Sequence, residues 1–164
     1  MLWKKFSWFF PVFASVLLAA TALAATSANQ IVTFSVIPVN EIAVAGNPSA
    51  LVVNAATPGS HPDVATDNST TYSISSNGTN VKITGAIDTA MPTGVTLKVN
   101  LAAPTGGSSA GDVPLGVSPS DLVTGTTKVA ESGLTITYKL NAVVSAGVVV
   151  TSNKTVTLTV TDGS

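Results

Sequence analysis

Ser109 stands in the run "GSSAG" (residues 107–111), the G-x-S-x-G spacing in which a serine can be raised as a nucleophile. That chemistry needs a strand-to-helix elbow under the serine, with an acid and then a histidine later in the chain. The one histidine, His61, comes earlier, and no helical periodicity follows residue 111, so the run reads as a Gly/Ser-rich loop. His61 itself shares "SHPDVATDNST" with Asp63, Asp67 and Asn68, a set of oxygen ligands of the kind calcium takes six to eight at a time. The spacing matches no calcium-loop signature, and one histidine cannot make a zinc site. These residues are expected to be a solvated, turn-forming loop without metal. The remaining carboxylates, Glu41, Asp88, Asp112, Asp121, Glu131 and Asp162, are scattered through turns, with no pair spaced for general acid–base work. Neither catalytic nor cofactor-binding residues are expected, and the chain reads as non-enzymatic.

Thr155, Thr157, Thr159 and Thr161 form a T-x-T row of the kind that can order water on a flat face. Such a face needs several equivalent strands side by side, and only Thr135 and Thr137 begin a second row. Threonine on the wet side of a strand is ordinary β preference.

The elements that would carry all of these residues are strands. "LTITYKL" sets Leu134, Ile136, Tyr138 and Leu140 against Thr135, Thr137 and Lys139. "VTLKVNL" and "KTVTLTVT" alternate in the same way, as half-buried strands with one wet face do. Asn77-Gly78 between "TTYSIS" and "VKITGAI" predicts a hairpin turn with positive φ. Further strands are expected at 31–37, 41–45, 50–54, 122–123 and 142–150, with the prolines between or beside them. The pattern predicts an all-β, antiparallel sandwich of immunoglobulin-like or jelly-roll style, with about seven to nine strands.

Residues 1–24 have the layout of a cleaved secretory signal peptide: Lys4 and Lys5, an apolar run from Phe9 to Ala20, then Ala22-Leu23-Ala24. The run is marginal for the ~20 residues a membrane span needs and is interrupted by Pro11, so no stable membrane anchor is expected after cleavage. Both Trp and four of the five Phe lie in this leader. The remaining 25–164 form one expected domain with five lysines, no arginine and eight carboxylates. Nucleic acid binding, which needs clustered cations and stacking aromatics, is excluded on that composition. With no cysteine, an exported chain must be held by its core alone.

"QIVTFSVIPVNEIAV" (residues 30–44) places Val32, Phe34 and Val36 on one face, with Ile31 and Ile37 on the other. Burying three such side chains contributes roughly 5–9 kcal/mol at ~1.5–3 kcal/mol each. Whichever groove receives this strand therefore depends on it, either in cis as the first strand of its own sandwich or in trans as a strand added to a neighbour. At the other end, residues 141–161 combine Ala146-Gly147, a short spacer and a Thr/Val-alternating last strand. This closing stretch resembles that of spore coat protein U-like and archaic chaperone–usher pilin domains, although it lacks a cysteine pair and ends in Thr161-Asp162-Gly163-Ser164. The resemblance implies an immunoglobulin-like pilin fold and donor-strand polymerisation. The expectation is a secreted or cell-surface structural subunit that self-associates into a homo-oligomer or filament. The alternative is a monomeric binding module using residues 61–68 and 106–112 as its working loops.

Overall fold

The computed structural model describes residues 26–163, so the expected signal peptide lies outside the described residues. The chain divides into two units, Met1–Ser35 and Val36–Ser164. Of the first unit, residues 26–35 are described; they carry no β-ladder, and Ile31, Val32 and Phe34 are exposed. The strand expected at 31–37 is thus not a strand here, and ladder formation begins at Asn40.

The second unit is an antiparallel β-sandwich. Its strands are β1 (Asn40–Ala45), β2 (Ala65–Ser76), β3 (Val81–Ile87), β4 (Val95–Leu101), β5 (Ser108–Ser109), β6 (Val113–Pro114), β7 (Ser120–Thr126), β8 (Val129–Ala142) and β9 (Val156–Thr161). One sheet has the order β1-β2-β8-β4-β6, the other β5-β7-β3-β9. Period-two alternation decides which side chains enter the core. In β3, Val81, Ile83 and Ile87 are buried while Lys82, Thr84 and Ala86 face out. Opposite them, Tyr72, Ile74, Val99, Leu101, Ile136 and Tyr138 close the core from the other sheet.

Two bulges keep that phase along the long pair β2–β8. The register slips once between Asp67 and Thr70 and again between Tyr72 and Ile74. The second slip falls at Gly133, whose φ of 72° a side chain would strain.

Three sequence expectations need correction. Asn77-Gly78 is not a hairpin turn, because β2 and β3 lie in different sheets and the segment is a corner between them. The left-handed residue there is Asn80, with φ 53°, rather than Gly78. Gly78 is needed for space, since a Cβ there would meet Asp162 Oδ1 at 2.8 Å and Val81 Cγ2 at 2.9 Å. Residues 50–54 pair with no strand, and 142–150 leaves the sheet after Ala142 to form a single 3-10 turn at Val144–Ala146. Both runs have the residue types of strands and lack a neighbour to pair with.

The two described tyrosines give a readout of core packing. Tyr72 donates its hydroxyl to the Ala102 carbonyl at 2.6 Å, and burial, with Glu131 adding, pushes its pKa up to about 12. Burial raises Tyr138 as well. A tyrosine ordinarily titrates near ~10. The unfolded chain therefore loses these protons first, and the native state binds more protons in between. Stability is fully present below about 10 and falls as pH rises toward about 12. Absorbance titration should show both phenols ionising late and together with unfolding, and Tyr72→Phe should shrink the alkaline stability loss.

Candidate functional site

The sandwich has two seams, and they are built differently. At one, the chain between β4 and β7 passes from sheet to sheet, laying β5 against β7 and β6 against β4. Pro114, which lacks an N–H, sits in this short edge strand opposite Lys98. Leu115 follows it into the core, with its N–H bonded to the Leu97 carbonyl. That seam is closed.

At the other seam the edge strands β1 and β9 lie side by side without a ladder between them. Asn40 Nδ2 ties them by donating to Asp162 Oδ1 at 2.9 Å, with Asn40 Oδ1 accepting from Ser76 Oγ at 2.6 Å. Toward this seam the core thins. The inward rows of β2 and β3 are buried, whereas Ile42 on β1 and Val156, Leu158 and Val160 on β9 are only half-buried, and Val44 is exposed.

The free edge of β9 also has unpaired backbone groups. Ile87 stands opposite Val156, and Asp88 N–H bonds to the Thr155 carbonyl. In an antiparallel ladder this makes 86/157, 84/159 and 82/161 the mutually hydrogen-bonded pairs. The N–H and C=O groups of Val156, Leu158 and Val160 therefore point away from β3, along the open edge. The residues that show half-buried apolar side chains to the core also offer the free hydrogen bonds, which makes this edge a template for one more strand.

The residues of the expected assembly strand are all exposed: Ile31, Val32, Phe34 (87 %), Val36 and Ile37. Asn77 holds the root of this segment. Its Nδ2 donates to the Ile37 carbonyl, its Oδ1 accepts the Val39 N–H, and its own N–H donates to the Val39 carbonyl. The amide side chain thus imitates a short stretch of strand.

The other sequence candidates do not converge. Asp67 and Asn68 are in β2 rather than in a loop with His61 and Asp63. The Asp67 carboxylate is already taken up by Ser49 N–H, Ser69 N–H and Ser69 Oγ, and the Ser69 hydroxyl chiefly holds its pKa below the usual carboxylate range. His61 Nδ1 accepts from Val144 N–H at 3.4 Å, and no cluster of three or more His, Cys, Asp or Glu occurs among the described residues. Ser109 lies in β5 opposite Val123, donating to Asn100 Oδ1 and accepting from Gly111 N–H. Asp112 bonds Lys139 Nζ at 2.7 Å, relieving the directly paired Lys98 and Lys139 on the outer face. That lysine is the main reason its carboxyl titrates low. The threonine row of β9 is exposed, but its neighbours on β3 are Lys82, Thr84 and Ala86, so the row is not repeated.

The sequence singled out the apolar segment at 31–37 and gave no sign of the open β9 edge. The β9 alternation was visible, but nothing local marks that strand as an edge with a free side. No protein-family model, curated protein or solved structure matches the chain.

Proposed function

We propose that this protein is an exported, non-enzymatic structural subunit that polymerises by strand addition, residues 31–37 of one copy pairing with the β9 edge of the next. The observation that carries the reading is the match between the open seam and the exposed segment. The edge offers three inward apolar positions at period two, Val156, Leu158 and Val160, and the segment offers three at the same period, Val32, Phe34 and Val36.

Direction follows from the latch. The seam is tied at the Asn40–Asp162 end, so a strand enters from the Val156 end. Its root, at Val36, then lies beside Val156, and the strand runs antiparallel to β9 with Phe34 opposite Leu158 and Val32 opposite Val160. Pro38 stops the new ladder just after the root, because it has no N–H to donate. The likeness of residues 141–161 to pilin-type closing strands accords with this reading.

Size-exclusion chromatography with light scattering on the chain from Ala25, followed by negative-stain microscopy, tests it. The expected result is a ladder of oligomers and regular fibres. A clean monomer at all concentrations would overturn the reading and leave a monomeric module in its place.

A further inference from the structure

Val64, Val117, Val144, Val148 and Val150, all exposed, gather at one end of the sandwich. The segments joining β1 to β2, β3 to β4, β6 to β7 and β8 to β9 are tied together there. Val144 N–H bonds His61 Nδ1, Val143 N–H bonds the Gly94 carbonyl, Lys154 Nζ bonds Thr89 Oγ1 and the Ala90 carbonyl, and Ile87 N–H bonds the Gly116 carbonyl. This end carries Val64, Val117, Val144, Val148 (99 %) and Val150 (82 %) in the open. Lys154 is bent back onto the Thr89 hydroxyl and the Ala90 carbonyl.

The opposite end is formed by residues 77–80, 102–107, 127–128 and 162–163, tied by Lys128 N–H to the Gly78 carbonyl and Asn80 N–H to Thr127 Oγ1. Its exposed large apolar residues are those of the root, Val36, Ile37 and Val39, held by Asn77.

We infer that the valine-bearing end is a second contact between successive copies, covering the root residues Ile37 and Val39 of the copy whose strand it receives. The inference rests on the strand-addition reading and adds a partner surface to it. In the register above, Val36 of the incoming chain pairs beside Val156, and four residues later, at Asn40, that copy's own β1 begins. An extended chain spans at most ~3.6 Å per residue, so the two points are within about 14 Å. The root end of one copy must therefore abut the valine end of the next. Ile37 and Val39 emerge beside residues 153–155, with the exposed run 148–150 just upstream. Each set of apolar side chains is then the nearest cover available for the other, and burying both is favourable at ~25 cal/mol per Å².

The chain has no cysteine, which gives a clean test by oxidative cross-linking of the protein from Ala25. Val36→Cys with Val156→Cys in one chain reports strand addition, since hydrogen-bonded antiparallel partners have Cα atoms ~5.5 Å apart, inside disulfide range. Val39→Cys with Val148→Cys reports the end contact. Covalent ladders from both pairs are expected. A ladder from the first pair alone would overturn the end contact and leave strand addition standing. Ladders from neither would remove both. Efficient dimers from Val148→Cys alone would mean that valine ends meet each other, also against the proposal. Val144→Ser, Val148→Ser and Val150→Ser together should raise the concentration needed for fibres about tenfold or more. Loss of binding to phosphatidylcholine vesicles by this triple variant, with fibre formation unchanged, would instead assign the patch to a lipid surface.

Discussion

Replacing Phe34 by aspartate should leave the melting temperature of the sandwich where it is and abolish fibres. Phe34 is exposed in the single chain, and an exposed substitution away from special contacts usually changes stability by less than about 0.5 kcal/mol. In the proposed assembly the same ring lies opposite Leu158, in the middle of the inserted strand. Losing its burial removes about 2–3 kcal/mol, and a carboxylate placed there must also be desolvated. At 1.4 kcal/mol per decade, the association constant between copies should fall at least ~100-fold. Deleting residues 30–37 removes all three anchors and should give a folded monomer that never assembles. Thermal melting by circular dichroism and light scattering on the same samples decide the matter. A melting temperature lowered by many degrees in Phe34→Asp would mean that the ring supports its own sandwich, and the trans reading would fail.

The second large effect belongs to the core. Ile136 is fully buried in β8, between Thr70 on β2 and Leu101 on β4. Ile136→Ala should cost about 2–5 kcal/mol, the range for aliphatic truncation where the surroundings cannot collapse into the space. Against a typical domain stability of about 5–15 kcal/mol, and with no disulfide to limit the unfolded chain, that change approaches the whole margin. Leu158→Ala makes the informative contrast. Its side chain is half-buried at the open seam, so the single chain should lose distinctly less than with Ile136→Ala. The proposed assembly should lose more, because an incoming strand there would complete the burial of Leu158. Urea denaturation in the Phe34→Asp background, where only monomer is present, measures the first quantity. Fibre dissociation in urea without that substitution measures the second. Equal losses in monomer and fibre would argue that nothing covers Leu158 in the assembly.

The structure also separates residues that alternate for different reasons. β3, β4, β8 and β9 were legible because period-two alternation is a local property, written into each strand by the difference between its two faces. Strand-type residues without such alternation in 50–54 and 142–150 led to expected strands that do not form. Val148, Val149 and Val150 have the residue types of a strand, but they follow the turn at Val144–Ala146 and run past the end of β3, where no backbone is left to pair with. Asn77-Gly78 failed for a related reason. A turn dipeptide marks a change of chain direction, and whether the next strand rejoins its own sheet or crosses to the other depends on packing dozens of residues away. Glycine's part there is to admit Asp162 and Val81, a close approach that no neighbouring residue announces.

By itself, then, the sequence determined the all-β class, most of the strands and their inward faces, the absence of thiol chemistry, and the apolar segment at Ile31, Val32, Phe34, Val36 and Ile37 as the feature most in need of a partner. Only the tertiary structure decided that β1 and β9 are edges, that one seam is plugged by Leu115 while the other is merely latched by Asn40 and Asp162, and that Val64, Val117, Val144, Val148 and Val150 share one end. The physical reason is range. Side-chain alternation is imposed residue by residue, whereas an edge exists only through the absence of a neighbour, which depends on how every other strand has been placed.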